Sequence, residues 1–200
     1  MCINEFARQP VLNNTSALIL AGGNSSRMKT DKVYLPLKDG LSMLHHAIAF
    51  WNMISPDIMI AAGIPGRPMD ISARIVYDKY VKCGPLSGIH AGLSDSRNDL
   101  VFVSAVDMPS LEAEDARRLY REIGEHDICL YRVEGRPEPL FGLYRKTCCD
   151  LASELLSSGQ TKVTELLNIA DTLYIDTIKS DCFSNLNTPE DYQGYINTTV

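Results

Sequence analysis

The stretch Ser16-Ala17-Leu18-Ile19-Leu20-Ala21-Gly22-Gly23-Asn24-Ser25-Ser26-Arg27-Met28-Lys29-Thr30-Asp31-Lys32 decides how the rest of the chain is read. Residues 17–21 form an apolar run too short for a helix and suited to a buried parallel strand, and it stops at two adjacent glycines. Beyond the glycines the chain is a loop at a strand's carboxyl end, carrying Asn24, Ser25, Ser26 and the cations Arg27 and Lys32, with Met28 its one apolar residue. Glycines let backbone N–H groups approach a ligand, while hydroxyls and fixed cations add contacts that suit polyphosphate. The expectation is a loop for a nucleoside triphosphate. It is neither of the two common phosphate loops: no Gly-Lys pair comes after Gly23, as a Walker loop requires, and adjacent glycines do not make the dinucleotide fingerprint G-x-G-x-x-G.

Working outward, 200 residues suit a flexible lead over residues 1–15 and one domain over residues 16–200. No apolar run approaches the roughly 18 residues of a membrane span, and the first residues lack the pattern of a secretory signal. A net charge of −6 argues against broad nucleic-acid binding, so a nucleotide must be held locally. Cys2, Cys83, Cys129, Cys148, Cys149 and Cys182 contain no C-x-x-C pair, and a chain this long needs no disulfide framework. Reduced thiols in a cytoplasmic protein are expected. The vicinal pair Cys148-Cys149 opens a helical pattern with no histidine nearby and reads as packing.

Strands and helices alternate along the chain. A helix is expected over residues 41–54, with Leu44, Ile48 and Trp51 on one stripe, and strands over 57–62 and 74–77. A short helix comes next over 86–93, and the most continuous apolar run, 99–105, is expected to be a central strand. After it stand an amphipathic helix over 112–123 and an antiparallel strand pair, 127–133 and 139–145, joined by Glu134-Gly135-Arg136. Helices over 147–158 and 162–169 and a strand over 172–176 complete the framework. This order predicts a Rossmann-like three-layer α/β/α domain with a mostly parallel mixed sheet. His45 and His46, adjacent on the first helix, point different ways and do not share a metal.

Ligands of open α/β sheets lie above the carboxyl edge, and two further segments end there. Asp78 closes the third strand, and Gly84-Pro85 then turns into a helix whose first N–H groups are free for a ligand. Ser87, Gly88 and Ala91 let that helix approach a neighbour closely, and His90 reads as packing. Asp107, in Val106-Asp107-Met108-Pro109, is an isolated acid at the end of a buried strand, where an α/β nucleotide enzyme keeps a Mg²⁺ carboxylate. The competing role for Asp107, capping the next helix, is assigned instead to Ser110.

The pattern L-A-G-G-x-S-x-R-M-x-x-D-K, written by Leu20, Ala21, Gly22, Gly23, Ser25, Arg27, Met28, Asp31 and Lys32, resembles the signature loop of nucleotidyltransferases that activate sugars, lipids and cofactors. Asp78 followed by G-P-L-x-G-I resembles the base-recognition segment of the molybdenum cofactor guanylyltransferases. A carboxylate there can accept from N1–H and the exocyclic amine of guanine; the alternative for Asp78 is a turn residue capping its own backbone. Arg136-Pro137-Glu138-Pro139-Leu140-Phe141-Gly142-Leu143-Tyr144 is similar to the same branch's R-x-x-P-L-x-A-L-Y, with glycine for alanine, and residues 183–191 resemble its F-x-N-x-N-T-P-E-D. These matches span residues 17–191 in the family's order. One departure stands in the loop, where Lys29 replaces the usual glycine.

The resemblance implies transfer of GMP from GTP to the terminal phosphate of molybdopterin or Mo-molybdopterin, which a molybdenum-insertion protein would deliver, with release of pyrophosphate. It implies nucleotide contacts from Leu20, Ala21, Gly22, Gly23, Ser25, Lys32, Asp78, Gly84, Pro85 and Leu86. Catalysis would fall to Arg27, Lys32 and Mg²⁺ on Asp107. Arg136, Asn185 and Asn187 would stand on the acceptor side. Asn185 and Asn187 alternate onto one side of an extended segment, so both amides are expected near Asp107. A cytidylyltransferase and a non-catalytic nucleotide-binding regulator are the competing readings.

Overall fold

Every residue of β1 (Thr15–Leu20) is buried because the strand is paired along both edges. In the computed structural model, which describes residues 11–22, 31–63, 65 and 71–198, its neighbours are β2 (Asp57–Ala61) and β4 (Leu100–Ala105), both parallel to it. The remaining strands are β3 (Arg74–Val76), β5 (Ile128–Val133), β6 (Arg136–Arg145) and β7 (Thr172–Thr177), and the sheet order is β3-β2-β1-β4-β6-β5-β7. Only β6 runs against the rest, pairing antiparallel with both β4 and β5. The expected central strand, β4, is the middle one.

Helices cover both faces, as the alternation predicts. α1 (Met43–Asn52) and α3 (Ala113–Glu122) pack on one face with Trp51, Phe102 and Phe141 in their core, and Tyr192 and Tyr195 of α6 (Pro189–Asn197) rest against it. α2 (Gly84–Asp95), α4 (Cys148–Ser157) and α5 (Val163–Ile169) cover the other around Leu18, Ile89 and Leu130. Small residues bring α2 onto the sheet. A Cβ on Gly92 would lie 2.3 Å from Leu18 Cδ2, and one on Gly88 2.9 Å from Leu20 Cδ2. Leu18 is fully buried and has nowhere to retreat, so Gly92→Ala is expected to destabilise the fold by about 1–3 kcal/mol through overpacking. A urea melt that matches the wild type would refute this packing.

At the amino edge of the sheet the Arg74 guanidinium forks onto Asp57, 3.1 Å and 3.0 Å from its two oxygens, and Ser16 donates to the same carboxylate at 2.7 Å. Burial opposes ionisation of Asp57, but the Ser16 hydroxyl and Arg74 outweigh it and hold the carboxyl below its ordinary range. This cluster ties β1, β2 and β3 together at the end away from the carboxyl edge.

Several boundaries differ from the sequence reading. Residues 11–15 are not a loose lead: Leu12 N–H donates to the Ile54 carbonyl at 2.7 Å, the Tyr120 hydroxyl donates to Asn14 at 3.1 Å, and Thr15 already belongs to β1. Residues 1–10 lie outside the described residues. The β5–β6 connection is only Glu134-Gly135, both at positive φ (48° and 81°), so Arg136 is the first residue of β6. Ser110 does not cap α3. Glu112 is the N-cap, extended and without a side-chain cap, because its carboxylate is engaged by Lys179 at 3.0 Å.

Candidate active site

The exits of the parallel strands are stitched to one another. Ala21 N–H donates to the Ala61 carbonyl at 3.0 Å, Val106 N–H to Leu20 at 3.1 Å, and Asp78 N–H to Gly63 at 2.7 Å. Gly22 and Gly63 lie back to back: a Cβ on Gly22 would stand 3.2 Å from Gly63 N and 3.3 Å from its Cα. Both obstacles are backbone and cannot yield, which is why the strand must end in glycine here. Gly23, Ser25, Arg27 and Lys29 lie outside the described residues.

Lys32 opens a 3-10 turn, Lys32–Tyr34, whose N-cap Asp31 accepts from Val33 N–H at 3.4 Å. From there its ammonium bonds to Asp107 and approaches Asn187 Oδ1 at 3.5 Å. The Asp107 side chain is only 6% exposed and that of Lys32 22%, so the pair meets largely out of water. Leu186 N–H donates to the Asp107 carbonyl at 2.9 Å and fastens the 185–187 segment beside the carboxylate. Just beyond, Thr188 and Asp191 form a capping box on α6 with Pro189 in its first turn. Three segments far apart in the chain therefore supply one polar cluster at the end of β4. Asn185 is half-buried with its Oδ1 buried and without a hydrogen-bond partner.

Asp78 sits at the end of β3 with Oδ1 buried and unpartnered, 3.9 Å from the place a Cβ on Gly88 would occupy. Burial pushes its carboxyl above the ordinary range, and the nearby Ser87 hydroxyl does little against this because its one proton goes to the Tyr80 carbonyl at 2.6 Å. α2 starts at Gly84 rather than 86, with φ +66° at Gly84, Pro85 in the first turn, and no side-chain cap from Cys83. Its first N–H groups therefore face the edge without a side-chain cap. The Leu86 side chain is fully buried in the core, and Leu20 and Ala21 are buried too, so these three could meet a nucleotide only through backbone. Arg136 is exposed at the tip of the β5–β6 hairpin, on the same edge as Asp107.

Two neighbours of the cluster were not among the expected site residues. His46 bridges α1 to the turn after Asp107, with Nδ1 2.6 Å from Asp39 and Nε2 3.0 Å from the Pro109 carbonyl. Glu138 is half-buried on β6. Burial raises its carboxyl above the ordinary range, the Leu140 backbone N–H works against this, and the Asp107 carboxylate adds to it. His46 is brought in by contacts between distant segments, and Glu138 stands at a position that the quoted R-x-x-P-L pattern leaves open. A separate group, Glu112, Asp115 and Cys182, has ligand atoms within 4.8 Å of one another. Lys179, 3.0 Å from Glu112 and 4.0 Å from Asp115, already supplies its positive charge.

A lysine–carboxylate cluster at the carboxyl edge, beside a glycine-bounded strand exit, defines the class: a nucleotidyltransferase of the α/β type. The family model described as "MobA-like NTP transferase domain" matches residues 17–173, and the chain belongs to that family. A relative from Natranaerobius thermophilus, named probable molybdenum cofactor guanylyltransferase, is 33% identical over 196 residues, covering 90% of this chain and 94% of the relative. The molybdenum cofactor guanylyltransferase of Vibrio parahaemolyticus is 33% identical over 184 residues, covering 88% and 92%. The crystal structure of molybdopterin-guanine dinucleotide biosynthesis protein A from Archaeoglobus fulgidus superposes with a TM-score of 0.79 at 21% identity over 90% of this chain and 96% of that one, which shows the shared fold.

Proposed function

We propose that this enzyme transfers GMP from GTP to the terminal phosphate of molybdopterin or its molybdenum-loaded form and releases pyrophosphate. The observation that carries this reading is the meeting of Lys32, Asp107 and Asn187 at the end of β4, in a chain whose relatives are named for that activity. A phosphate oxygen of the acceptor attacks the α-phosphorus of GTP, a new P–O bond forms, and the bond to the β-phosphate oxygen breaks. The nucleophile is already an anion, so no protein base has to remove a proton, and the protein's task is to align two polyanions and offset their charge.

The donors at the edge fit Mg²⁺: Asp107, the buried Oδ1 of Asn185 and the Oδ1 of Asn187 offer hard oxygen. When bound, Mg²⁺ supplies charge neutralisation at the phosphates. Lys32 then orients and stabilises the α-phosphate, Arg27 takes the departing pyrophosphate, and the α2 N-terminus and Asp78 hold the base side. Arg136 and Asn185 face the acceptor. Delivery by a molybdenum-insertion protein and a cytoplasmic setting belong to the same reading. The five described cysteines are free, and among the described residues no helix is long and apolar enough to cross a membrane.

The direct test incubates the purified protein with Mg²⁺, a molybdopterin-loaded acceptor and either GTP or CTP, following pyrophosphate and the nucleotide-bearing pterin. Product from CTP alone would overturn the guanylyl reading. Asp78→Asn sharpens it. An amide cannot accept from both guanine donors, so selectivity is expected to move from GTP toward xanthosine triphosphate, whose C2 carbonyl accepts from the amide, by at least about tenfold in kcat/KM. The same variant has a signed effect on stability. Because the folded state raises the Asp78 pKa, its contribution is present below the unfolded value and lost as pH rises through the folded one. Asp78→Asn is therefore expected to melt above the wild type at neutral pH, with the gap closing as pH falls into the ordinary carboxylate range. An equal gap at every pH would contradict the burial cost.

A further inference from the structure

We infer that His46 is a positioning residue for Asp107: its imidazole braces the Pro109 carbonyl against Asp39 and so holds the turn on which Asp107 meets Lys32. This rests on the reading of Lys32 and Asp107 as the working pair of the site and adds a residue outside every quoted motif. The ring is fixed from both ends, with Nε2 3.0 Å from the Pro109 carbonyl and Nδ1 2.6 Å from Asp39 Oδ2. A carbonyl can only accept, so Nε2 donates to it. Burial opposes ionisation of Asp39, but the bond to His46 and the Leu41 N–H, 3.0 Å from its other oxygen, outweigh it and hold the carboxyl below its ordinary range. Asp39 therefore accepts as well, and both ring nitrogens donate. The two ends belong to different halves of the site. Asp39 lies on the chain between Lys32 and α1, and Pro109 stands two residues past Asp107.

Backbone bonds show what the brace adds. Val106 N–H donates to the Leu20 carbonyl at 3.1 Å and Leu186 N–H to the Asp107 carbonyl at 2.9 Å, which ties the turn as far as Asp107. Pro109 has no N–H, so its carbonyl is its one backbone group for a bond, and His46 takes it. The same helix grips the strand below, where Trp51 Nε1–H donates to Ser104 Oγ at 2.8 Å. Ser104 and Pro109 flank Asp107, and both are bonded to α1. Apolar packing leaves the turn room to shift, because a pocket lined by Ala47, Phe50, Ala105, Met108 and Leu111 lies between it and α1. A turn that shifts carries the carboxylate with it, and a displacement of about 1 Å is enough to cost a reacting site much of its rate.

The test separates the two ring nitrogens. A glutamine amide reaches the place of Nε2 and still donates to Pro109, whereas an asparagine amide reaches only the place of Nδ1. In the full chain, amide hydrogen exchange followed by NMR is expected to quicken about tenfold at Leu186, whose N–H is held by the Asp107 carbonyl, in His46→Asn, and to stay within about twofold of wild type in His46→Gln. With GTP, Mg²⁺ and a molybdopterin-loaded acceptor, His46→Asn is expected to lose about tenfold in kcat with the KM for GTP within about twofold, and His46→Gln to recover most of that loss. A histidine that only stabilised the fold would lower the melting temperature and leave kcat per folded enzyme unmoved. Should His46→Asn fail to fold, Asp39→Ala, at an exposed residue, frees the ring and is expected to move both readouts the same way by about threefold. The exchange readout needs no substrate, so it decides the inference even if wild type transfers no GMP, a result that would sink the proposed reaction instead. Wild-type exchange at Leu186 in the folded His46→Asn variant, or equal loss of kcat in the asparagine and glutamine variants, overturns the inference.

Discussion

Asp107→Asn is expected to lower nucleotidyl transfer on the order of 10³-fold while leaving the fold within about 1 kcal/mol of wild type. The asymmetry comes from what each group loses. An asparagine keeps an oxygen for the Lys32 ammonium and for the turn, and Lys32, 22% exposed, can turn partly to water. The substitution removes the negative charge that a dication needs, and with it the charge compensation that lets two polyanions meet. Steady-state pyrophosphate release at saturating Mg²⁺, together with a thermal melt, checks both halves. A variant retaining turnover within a few-fold of wild type would remove Asp107 from the chemistry.

Lys32→Ala is expected to cost about 3 kcal/mol of transition-state stabilisation, a loss on the order of 10²-fold in kcat, by the general cost of removing one preorganised donor. Unlike Asp107→Asn, it should also destabilise the folded chain. Asp107 is 5% exposed overall, and without the ammonium its charge is left largely desolvated, a cost of about 2 kcal/mol once the partial exposure of Lys32 is discounted. Mg²⁺ is then expected to raise the melting temperature of Lys32→Ala more than that of wild type, because the ion takes the place of the ammonium that Asp107 bonds among the described residues. Full turnover in Lys32→Ala, or an identical response of the two proteins to Mg²⁺, would contradict the assigned role. The pair of variants therefore separates a group needed only for the reaction from one needed for both reaction and fold.

Much of the framework was legible residue by residue. The apolar run at 17–21 and its double glycine read as a strand ending at a ligand edge, and β1 ends there with Gly22 packed against Gly63. The longest apolar run read as the central strand, and β4 is the middle of seven. Ser87, Gly88 and Ala91 read as a face for close approach, and the helix that carries them closes on Leu18 and Leu20 through Gly88 and Gly92. These readings succeed because burial on both faces and close approach leave their mark on consecutive or periodic residues. The misreadings share the opposite property. Ser110 had the composition of a cap, but the Lys179–Glu112 contact comes from a segment nearly seventy residues away. Residues 1–15 read as a flexible lead, yet Leu12 is bonded to Ile54 and Asn14 to Tyr120.

For the site, the amino-acid sequence by itself determined which residue types stand at the strand exits: Lys32 after the glycine loop, Asp78 after β3, Asp107 after β4, and the asparagines before α6. Those assignments depend only on local pattern and on the rule that parallel strands end at one edge. Tertiary structure alone decided which of them touch. The bond from Lys32 to Asp107, the approach of Asn187 and the tie from Leu186 join segments separated by up to 155 positions. The antiparallel register of β6 on β4, with Ser104 opposite Phe141, is also tertiary, and a slip of one residue would turn its side chains to the other face. No run of neighbouring residues encodes that register, because it is set by how the whole β4–β6 pair buries its two faces.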